Sequence, residues 1–599
     1  MPDAPSGVAV TEGTPEHDPA RPATRDARQS PATDAAFALL LAFADLGVRD
    51  VVVSPGSRSQ ALALAAARLH EAGRMRLHVR IDERGGAFFA LGAARESGVP
   101  TLVVTTSGTA VANLHPAVLE AHHSGIPLIA LTADRPEELR GIRANQTTRQ
   151  PGIFGTAVRL GIDVPAPTAG DDSTADARAL AERAVSGATD PRNPGPVHLN
   201  LQYREPLSSA GPTRPLPEAA STSPEASPEH STASAGRPSA AAREHDEPLL
   251  LAHGPRTVVI AGADAGEDAE ALAREADWPL IAEVTSGAHF GPNLVVGYRE
   301  LLAHPEFGGA VERVIVFGHP TLSREVPALV QRDDVDAVVV APADAEQYNP
   351  GRRVRRFVRA VRVHEAQRPD ERRWTRRWVM TSRALLDEDS PETPILPMSG
   401  GRQNRRAFLE AEMAVVRTPV DRRMLAAAVW NATWPHDRLV FGASRIIREA
   451  DRSVPGKRIR AVANRGLAGI DGTIATTLGV ASASQAAGEP GTTRALIGDV
   501  TLLHDAGSLH IAPGEPRPRV LVVVGNDGGG TIFDTLEVAA SADAASFDRV
   551  LYTPHTVDIA ALAAAYGWQY RRAQTRGELN DALTAPVTEP TILEVPLPR

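Results

Sequence analysis

Arg494-Ala495-Leu496-Ile497-Gly498-Asp499-Val500 is echoed further on by Val520-Leu521-Val522-Val523-Val524-Gly525-Asn526-Asp527-Gly528-Gly529-Gly530. Each opens on a short apolar run closed by glycine, which reads as a buried strand rather than a helix. A carboxylate, an amide oxygen and turning glycines then lie together at the carboxyl ends of parallel strands, where open α/β sheets bind ligands. Oxygens of Asp and Asn, joined by a backbone carbonyl, are hard donors suited to Mg²⁺, which phosphate oxygens of a substrate or cofactor usually complete. A lone Asn-Asp-Gly is normally a plain turn. The pairing after two strands makes Asp499, Asn526 and the carbonyl of Gly528 a candidate metal site.

The same grammar extends outward. Strands are expected at Val51–Val53, Arg76–Ile81, Thr101–Thr105 and Leu128–Thr132, with helices from Gln60 to Glu71 and starting near Glu83 and Ala110. A second set follows at Thr257–Ala261, Leu280–Ala282, Arg313–Phe317 and Ala337–Val340. The last set is Leu439–Gly442, Ile459–Ala461, Leu496–Ile497, Val520–Val524 and Val550–Tyr552. Strands alternating with helices predict βαβ units on parallel sheets. The fold class is therefore α/β, with three successive parallel-sheet domains. The expected boundaries are a disordered tail over 1–30, a first domain over 31–206 and a Ser/Pro/Ala-rich linker or insertion over 207–247. A central domain over 248–400 and a last domain over 401–599 follow. A Pro/Gly-rich connection is expected over 385–407.

Bulk properties narrow the function. The chain has 599 residues, 42% of them hydrophobic and only 4% aromatic, with a formal net charge of −10 and no Cys. The charge disfavours nucleic acid as a partner. Without Cys there is no disulfide framework, thiolate nucleophile or Cys–zinc site. No apolar run has the length of a membrane span, and the first residues lack a signal-peptide core. A cytoplasmic protein without integral membrane contact is expected.

Six ordered motifs carry a resemblance: Ser54-Pro55-Gly56-Ser57-Arg58-Ser59, Asp82-Glu83-Arg84-Gly85, Thr105-Thr106-Ser107-Gly108-Thr109, Ala133-Asp134-Arg135-Pro136 with Ala144-Asn145-Gln146, Gly195 to Asn200 with Arg204-Glu205-Pro206-Leu207, and Asn464-Arg465-Gly466 with Gly469-Ile470-Asp471-Gly472. With the Gly-Asp and Asn-Asp-Gly pair, they resemble thiamine-diphosphate (ThDP) enzymes. Within these they look like the menaquinone-pathway family of 2-succinyl-5-enolpyruvyl-6-hydroxy-3-cyclohexene-1-carboxylate synthases. Val500 and Gly525 depart from the family's usual Gly-Asp-Gly and Asn-Asn pattern, and the likeness is weak over 208–440.

The resemblance implies decarboxylation of 2-oxoglutarate and 1,4-addition of the succinic-semialdehyde unit to isochorismate, with ThDP as electron sink and Mg²⁺ or Mn²⁺ as metal. It implies that Glu83 hydrogen-bonds the aminopyrimidine ring and favours the imino tautomer, and that Ile470 buttresses the bent cofactor. Asp499, Asn526 and Gly528 would carry the metal. Ser444 and Arg448 would hold the carboxylate of the succinyl part, with Ser57, Arg58 and Arg465 as further pocket residues. Arg135, Asn145 and Gln146 would orient isochorismate and the intermediate. Planar guanidinium groups suit these dianionic substrates. Glu83 and Asp499 must reach opposite ends of one cofactor, and the family divides them between subunits, which implies a homodimer or a tetramer.

Bland readings stand beside these. Glu83 is also a good first-turn carboxylate. Surface charge explains Arg445, and it competes with an effector or substrate role for Arg324. His115, His122, His123, His504 and His510 lack compact ligand spacing and suit structural roles. Phe533 is a candidate to close over the site. Two other functions remain open: another ThDP 2-oxo-acid decarboxylase or carboligase, and a noncatalytic nucleotide-binding regulator on the same scaffold.

Overall fold

The computed structural model describes residues 30–168, 173–209, 247–341, 346–364, 369–388 and 402–599. Residues 1–29 of the tail expected over 1–30, and 210–246 of the linker expected over 207–247, lie outside the described residues, while Ser30 caps the helix Pro31–Asp45.

Continuous apolar runs form the strands, because parallel strands covered by helices are buried on both faces. The first sheet has six parallel strands in the spatial order Arg76–Val79, Asp50–Val53, Thr101–Thr105, Leu128–Asp134, Val197–Gln202, Leu160–Val164. The last sheet repeats that topology with Arg460–Ala463, Arg438–Phe441, Thr493–Gly498, Val520–Asn526, Thr591–Pro596, Gln569–Arg572. Between them lies a five-stranded parallel sheet ordered Arg356–Val358, Asp336–Val340, Arg313–Phe317, Thr257–Ala261, Leu280–Ala282. In each of the two six-stranded sheets the chain winds one way and then reverses. The reversal leaves a crevice at the carboxyl ends of the strands flanking it. These flanking pairs are Asp50–Val53 with Thr101–Thr105, and Arg438–Phe441 with Thr493–Gly498.

Two helices lock the first and last sheets together. Asp82 caps the helix Glu83–Ser97 by accepting from the Arg84 N–H, and Gly98 ends it in a left-handed turn. Its partner, Thr473–Ala486, is buried along nearly its whole length. They cross at glycines: a Cβ on Gly92 would lie 2.2 Å from the Thr476 carbonyl oxygen, and one on Gly479 would lie 2.1 Å from that of Phe89. Backbone cannot yield there as a side-chain tip can. Gly479→Ala is therefore expected to destabilise the protein by at least about 1–3 kcal/mol, read as a lower apparent melting temperature of the full chain. An unchanged melting temperature would mean that this crossing is looser than drawn.

Three features differ from the sequence reading. Val550–Tyr552 is not a strand: Asp548–Tyr552 is a single π-helical turn, with Val550 66% exposed. Apolar residues there suggested a strand, but the Tyr552 hydroxyl donates to the Asp527 carbonyl oxygen and pins the segment over the glycine loop. The strands Leu160–Val164, Gln569–Arg572 and Thr591–Pro596 escaped notice. The first two are edge strands with little full burial, so their sequences lack the apolar run. The supposed connection over 385–407 begins and ends in helix, within Pro369–Glu388 and Arg402–Val416. No helix among the described residues is long and apolar enough to cross a membrane.

Candidate active site

The strand register places the metal-type oxygens. Gly498 pairs with Gly525 across the Thr493–Gly498 and Val520–Asn526 strands, so Asp499 and Asn526 leave neighbouring strand ends side by side. Asp499 is 1% exposed. Its Oδ1 accepts the Val500 N–H at 2.7 Å and its Oδ2 lies 2.9 Å from His555 Nε2. Burial and then the Asp527 carboxylate push the Asp499 carboxyl above its ordinary range, against the pull of His555 and Val500. Glu594 Oε1 accepts from Asn526 Nδ2 at 2.7 Å, and Asn526 Oδ1 accepts the Gly528 N–H at 3.2 Å. The amide oxygen thus faces the loop and its nitrogen faces the last strand.

Gly528 has φ 75°, which favours glycine, and its carbonyl accepts the His555 N–H at 3.2 Å. His555 therefore touches both Asp499 and Gly528. Asp527 is otherwise engaged, held by Arg422 at 2.8 Å and Thr531 at 2.6 Å. Among the described residues no group of three His, Cys, Asp or Glu side chains could hold a metal. The oxygens offered at these adjoining strand ends are one carboxylate, one amide oxygen and one carbonyl. That all-oxygen set fits Mg²⁺ completed by a diphosphate.

The first-sheet candidates also gather at strand ends. Arg58 follows Asp50–Val53, Ser107 follows Thr101–Thr105, and Arg135 follows Leu128–Asp134. Arg58 is 8% exposed; its N–H donates to Thr106 Oγ1, its Nη1 donates to the Tyr203 carbonyl, and its Nε is buried without a partner. Arg135 Nη1 donates to Ser107 Oγ. Ser107 Oγ donates in turn to the Gln146 carbonyl, and Gln146 Nε2 donates to the Ser107 carbonyl, both at 3.0 Å. Burial and then the neighbouring Arg58 lower the Arg135 pKa. Ser57 and Asn145 are exposed beside this cluster.

A second set of cations surrounds the Arg438–Phe441 and Arg460–Ala463 strand ends. Ser444 precedes the helix Arg445–Ser453 but makes no side-chain cap, and Arg448 Nη1 donates to its carbonyl at 2.8 Å. Arg465 is 2% exposed, donates from Nε to Thr321 Oγ1 at 2.9 Å, and keeps Nη1 buried without a partner. Burial lowers the pKa of both Arg448 and Arg465. Ile470 is half-buried in the following loop, whose Gly472 abuts the Phe88 ring. A cleft of about 310 Å³ opens here, between Phe88, His115, Leu119 and Glu120 on one side and Asn464, Leu467, Gly469 and Asp471 on the other.

Glu83 stands apart from Asp499 in its bonding. It occupies the first helical turn and accepts from Asn113 Nδ2 at 3.1 Å. Its neighbour Arg84 donates to the carbonyl of His504, at the far end of the short helix that Asp499 opens.

The chain matches the family model described as "Thiamine pyrophosphate enzyme, N-terminal TPP binding domain" over residues 33–154. It matches the corresponding "C-terminal TPP binding domain" over residues 453–595. A protein of Leifsonia xyli subsp. xyli named 2-succinyl-5-enolpyruvyl-6-hydroxy-3-cyclohexene-1-carboxylate synthase is 57% identical over 587 residues, covering 95% of this chain and 97% of that protein. The chain belongs to this synthase family. A relative of the same name from Clavibacter michiganensis subsp. michiganensis is 56% identical over 590 residues, covering 97% and 99% of the two chains. Benzoylformate decarboxylase from Polynucleobacter necessarius shares the fold, with a TM-score of 0.60 over 95% of this chain and 99% of that one, at 15% identity.

Glu83 falls within the first matched segment, and Asp499, Asn526 and Gly528 fall within the second. Sequence reasoning missed His555, Glu594 and Glu120 there. No motif marks them, and His555 follows a segment misread as strand. Of the residues given bland readings, Arg445 Nη1 holds the Thr531 carbonyl at 3.2 Å, and Arg324 forms an exposed pair with Glu537. Phe533 packs back on Gly530. His122 lies 2.9 Å from the Ala157 carbonyl oxygen and 2.6 Å from Arg159 Nη1, His123 lies 3.7 Å from Glu346, and His504 lies 3.4 Å from Arg84. His115 packs edge-on against Phe154, and His510 is half-buried with its Nδ1 buried and unpartnered.

Proposed function

We propose that this protein decarboxylates 2-oxoglutarate and adds the remaining succinyl unit to isochorismate by 1,4-addition, giving 2-succinyl-5-enolpyruvyl-6-hydroxy-3-cyclohexene-1-carboxylate for menaquinone. The observation that carries this reading is 57% identity, across 95% of the chain, with a protein bearing that synthase's name. The chemistry of the pocket supports it: buried guanidinium N–H groups without partners on Arg58 and Arg465 suit carboxylate-rich substrates.

When bound, ThDP supplies the electron sink that no side chain provides. Asp499, Asn526 and the Gly528 carbonyl would hold Mg²⁺ or Mn²⁺, which would neutralise the charge of the diphosphate. His555 and Glu594 orient the first two. Glu83 would hydrogen-bond the aminopyrimidine ring and favour its imino tautomer, and Ile470 would pack against the cofactor. Ser444 and Arg448 bind the carboxylate of the succinyl part, and Ser57, Arg58 and Arg465 line the pocket. Arg135, Asn145 and Gln146 orient isochorismate, with Ser107 fixing Arg135 and Gln146 in one cluster.

The working unit is a homodimer with two sites, each joining Glu83 of one protomer to Asp499 of its partner. Ile81, 71% exposed just before Asp82 and Glu83, supports a covered face there. The cytoplasm is the proposed compartment.

Purified protein given ThDP, Mg²⁺, 2-oxoglutarate and isochorismate should consume isochorismate and form a product of the expected mass. Turnover of pyruvate in place of 2-oxoglutarate would instead assign a different ThDP carboligase. ThDP binding without turnover of either would assign a regulator.

A further inference from the structure

We propose that Glu283, in the central sheet region, is a positioning residue for Arg465, aiming the guanidinium through Thr321. This rests on the reading above that Arg465 lines the 2-oxoglutarate pocket.

Glu283 follows the strand Leu280–Ala282 and is 2% exposed. Its Oε1 accepts two backbone N–H groups, from Thr321 and Leu322, each at 2.6 Å. Those residues lie beyond the strand Arg313–Phe317. Thr321 then accepts Arg465 Nε on its hydroxyl at 2.9 Å and Arg465 Nη2 on its carbonyl at 3.3 Å. One carboxylate oxygen thus fixes a peptide segment, and that segment takes up one edge of the guanidinium. Nη1 is left buried and unpartnered. A guanidinium held along one edge is pre-aimed to offer its other N–H groups to a carboxylate.

The backbone just after Arg465 is also held. Glu120, 3% exposed and on the helix His115–Ser124 of the first sheet region, accepts the Gly466 N–H on Oε1 and the Leu467 N–H on Oε2, both at 2.8 Å. Carboxylates from two other parts of the molecule therefore clamp the residues around one arginine.

Glu283 uses only one of its two oxygens on the backbone. Its Oε2 is buried with no hydrogen-bond partner. The nearby Asp451 carboxylate is committed elsewhere, to Val284 N–H at 3.0 Å, the Tyr298 hydroxyl at 2.8 Å and Arg299. A buried carboxyl with one unmatched oxygen is costly, and what it supplies in return is acceptance of the Thr321 and Leu322 N–H groups. Aiming Thr321 is the task that an apolar residue there cannot perform.

The test uses steady-state kinetics of the ThDP–Mg²⁺ holoenzyme with Arg465→Gln, Thr321→Val, Thr321→Ser and Glu283→Leu. Thr321→Val removes one acceptor at nearly constant shape. It should raise KM for 2-oxoglutarate by about tenfold, the order expected for one hydrogen bond to a charged group. The change in kcat should be smaller, and ThDP affinity should be unchanged. Thr321→Ser, which keeps the hydroxyl, should recover most of that loss. Glu283→Leu should raise the same KM. Thr321→Val combined with Arg465→Gln should be no worse than Arg465→Gln alone, because the two act as one unit. A raised KM in Arg465→Gln with normal KM in Thr321→Val and Glu283→Leu overturns the positioning role. So do additive effects in the double variant. Normal KM in Arg465→Gln itself overturns the reading of Arg465, and this proposal with it. Should Glu283→Leu not fold, Thr321→Val decides alone.

Discussion

Glu83→Gln is expected to lower kcat by about 10²–10⁴-fold, the usual contribution of a positioned acid–base group, while the protein still binds ThDP. The substitution keeps size and hydrogen-bonding reach but removes the ionisable proton site. Glu83 sits in the first turn of a helix whose cap is Asp82, not Glu83. Among the described residues its side chain accepts a hydrogen bond from Asn113 alone, at an exposed position. The fold therefore does not depend on the charge, and melting temperature should barely move. Cofactor binding followed by fluorescence quenching, alongside turnover of isochorismate, separates the two effects. A variant with full turnover would remove Glu83 from the chemistry, and one that no longer binds ThDP would make it a binding residue instead.

Asp499→Asn is expected to act in opposite directions on function and stability. Loss of the carboxylate should weaken Mg²⁺-dependent ThDP binding by at least about 100-fold, since even partners one step removed from a metal cost 10–100-fold. In protein stripped of metal and cofactor the same change should raise the apparent melting temperature. The sign follows from linkage. Burial and Asp527 raise the Asp499 pKa in the folded state. A raised carboxyl pKa favours folding when the group is protonated, and that contribution is lost as pH rises from the ordinary carboxylate range through the folded value. Asn mimics the neutral form, so its advantage should grow as pH rises across that window and shrink again in acid. Thermal unfolding with and without Mg²⁺–ThDP, at several pH values, reads both effects. An Asn variant that binds metal normally would rule Asp499 out as a ligand, and one less stable at every pH would contradict the burial argument.

Legibility in the sequence followed the range of the interactions. Strands buried on both faces, such as Val520–Asn526 and Thr101–Thr105, announced themselves by unbroken apolar runs. Half-exposed edge strands such as Gln569–Arg572 did not. Val550–Tyr552 misled because apolar composition does not reveal that Tyr552 must lie over Gly529, whose Cβ would fall 2.4 Å from the Tyr552 carbonyl oxygen. Within the candidate site, Asp499 and Asn526 were visible because Asp499 directly follows its strand and Asn526 ends its own. Their partners were not. His555 reaches Asp499 across 56 residues and Glu594 reaches Asn526 across 68. Thr321 meets Arg465 across 144.

The chain's order of residues was enough to settle its family and its alternating α/β plan, because apolar runs, glycine turns and strand-end polar groups are local signals. Folding alone decided which groups support those signals. Parallel strands bring distant segments into register, and only that register puts His555 on Asp499, Ser107 on Arg135 and Thr321 on Arg465. A hydrogen bond depends on distance and angle in space, which spacing along the chain does not encode.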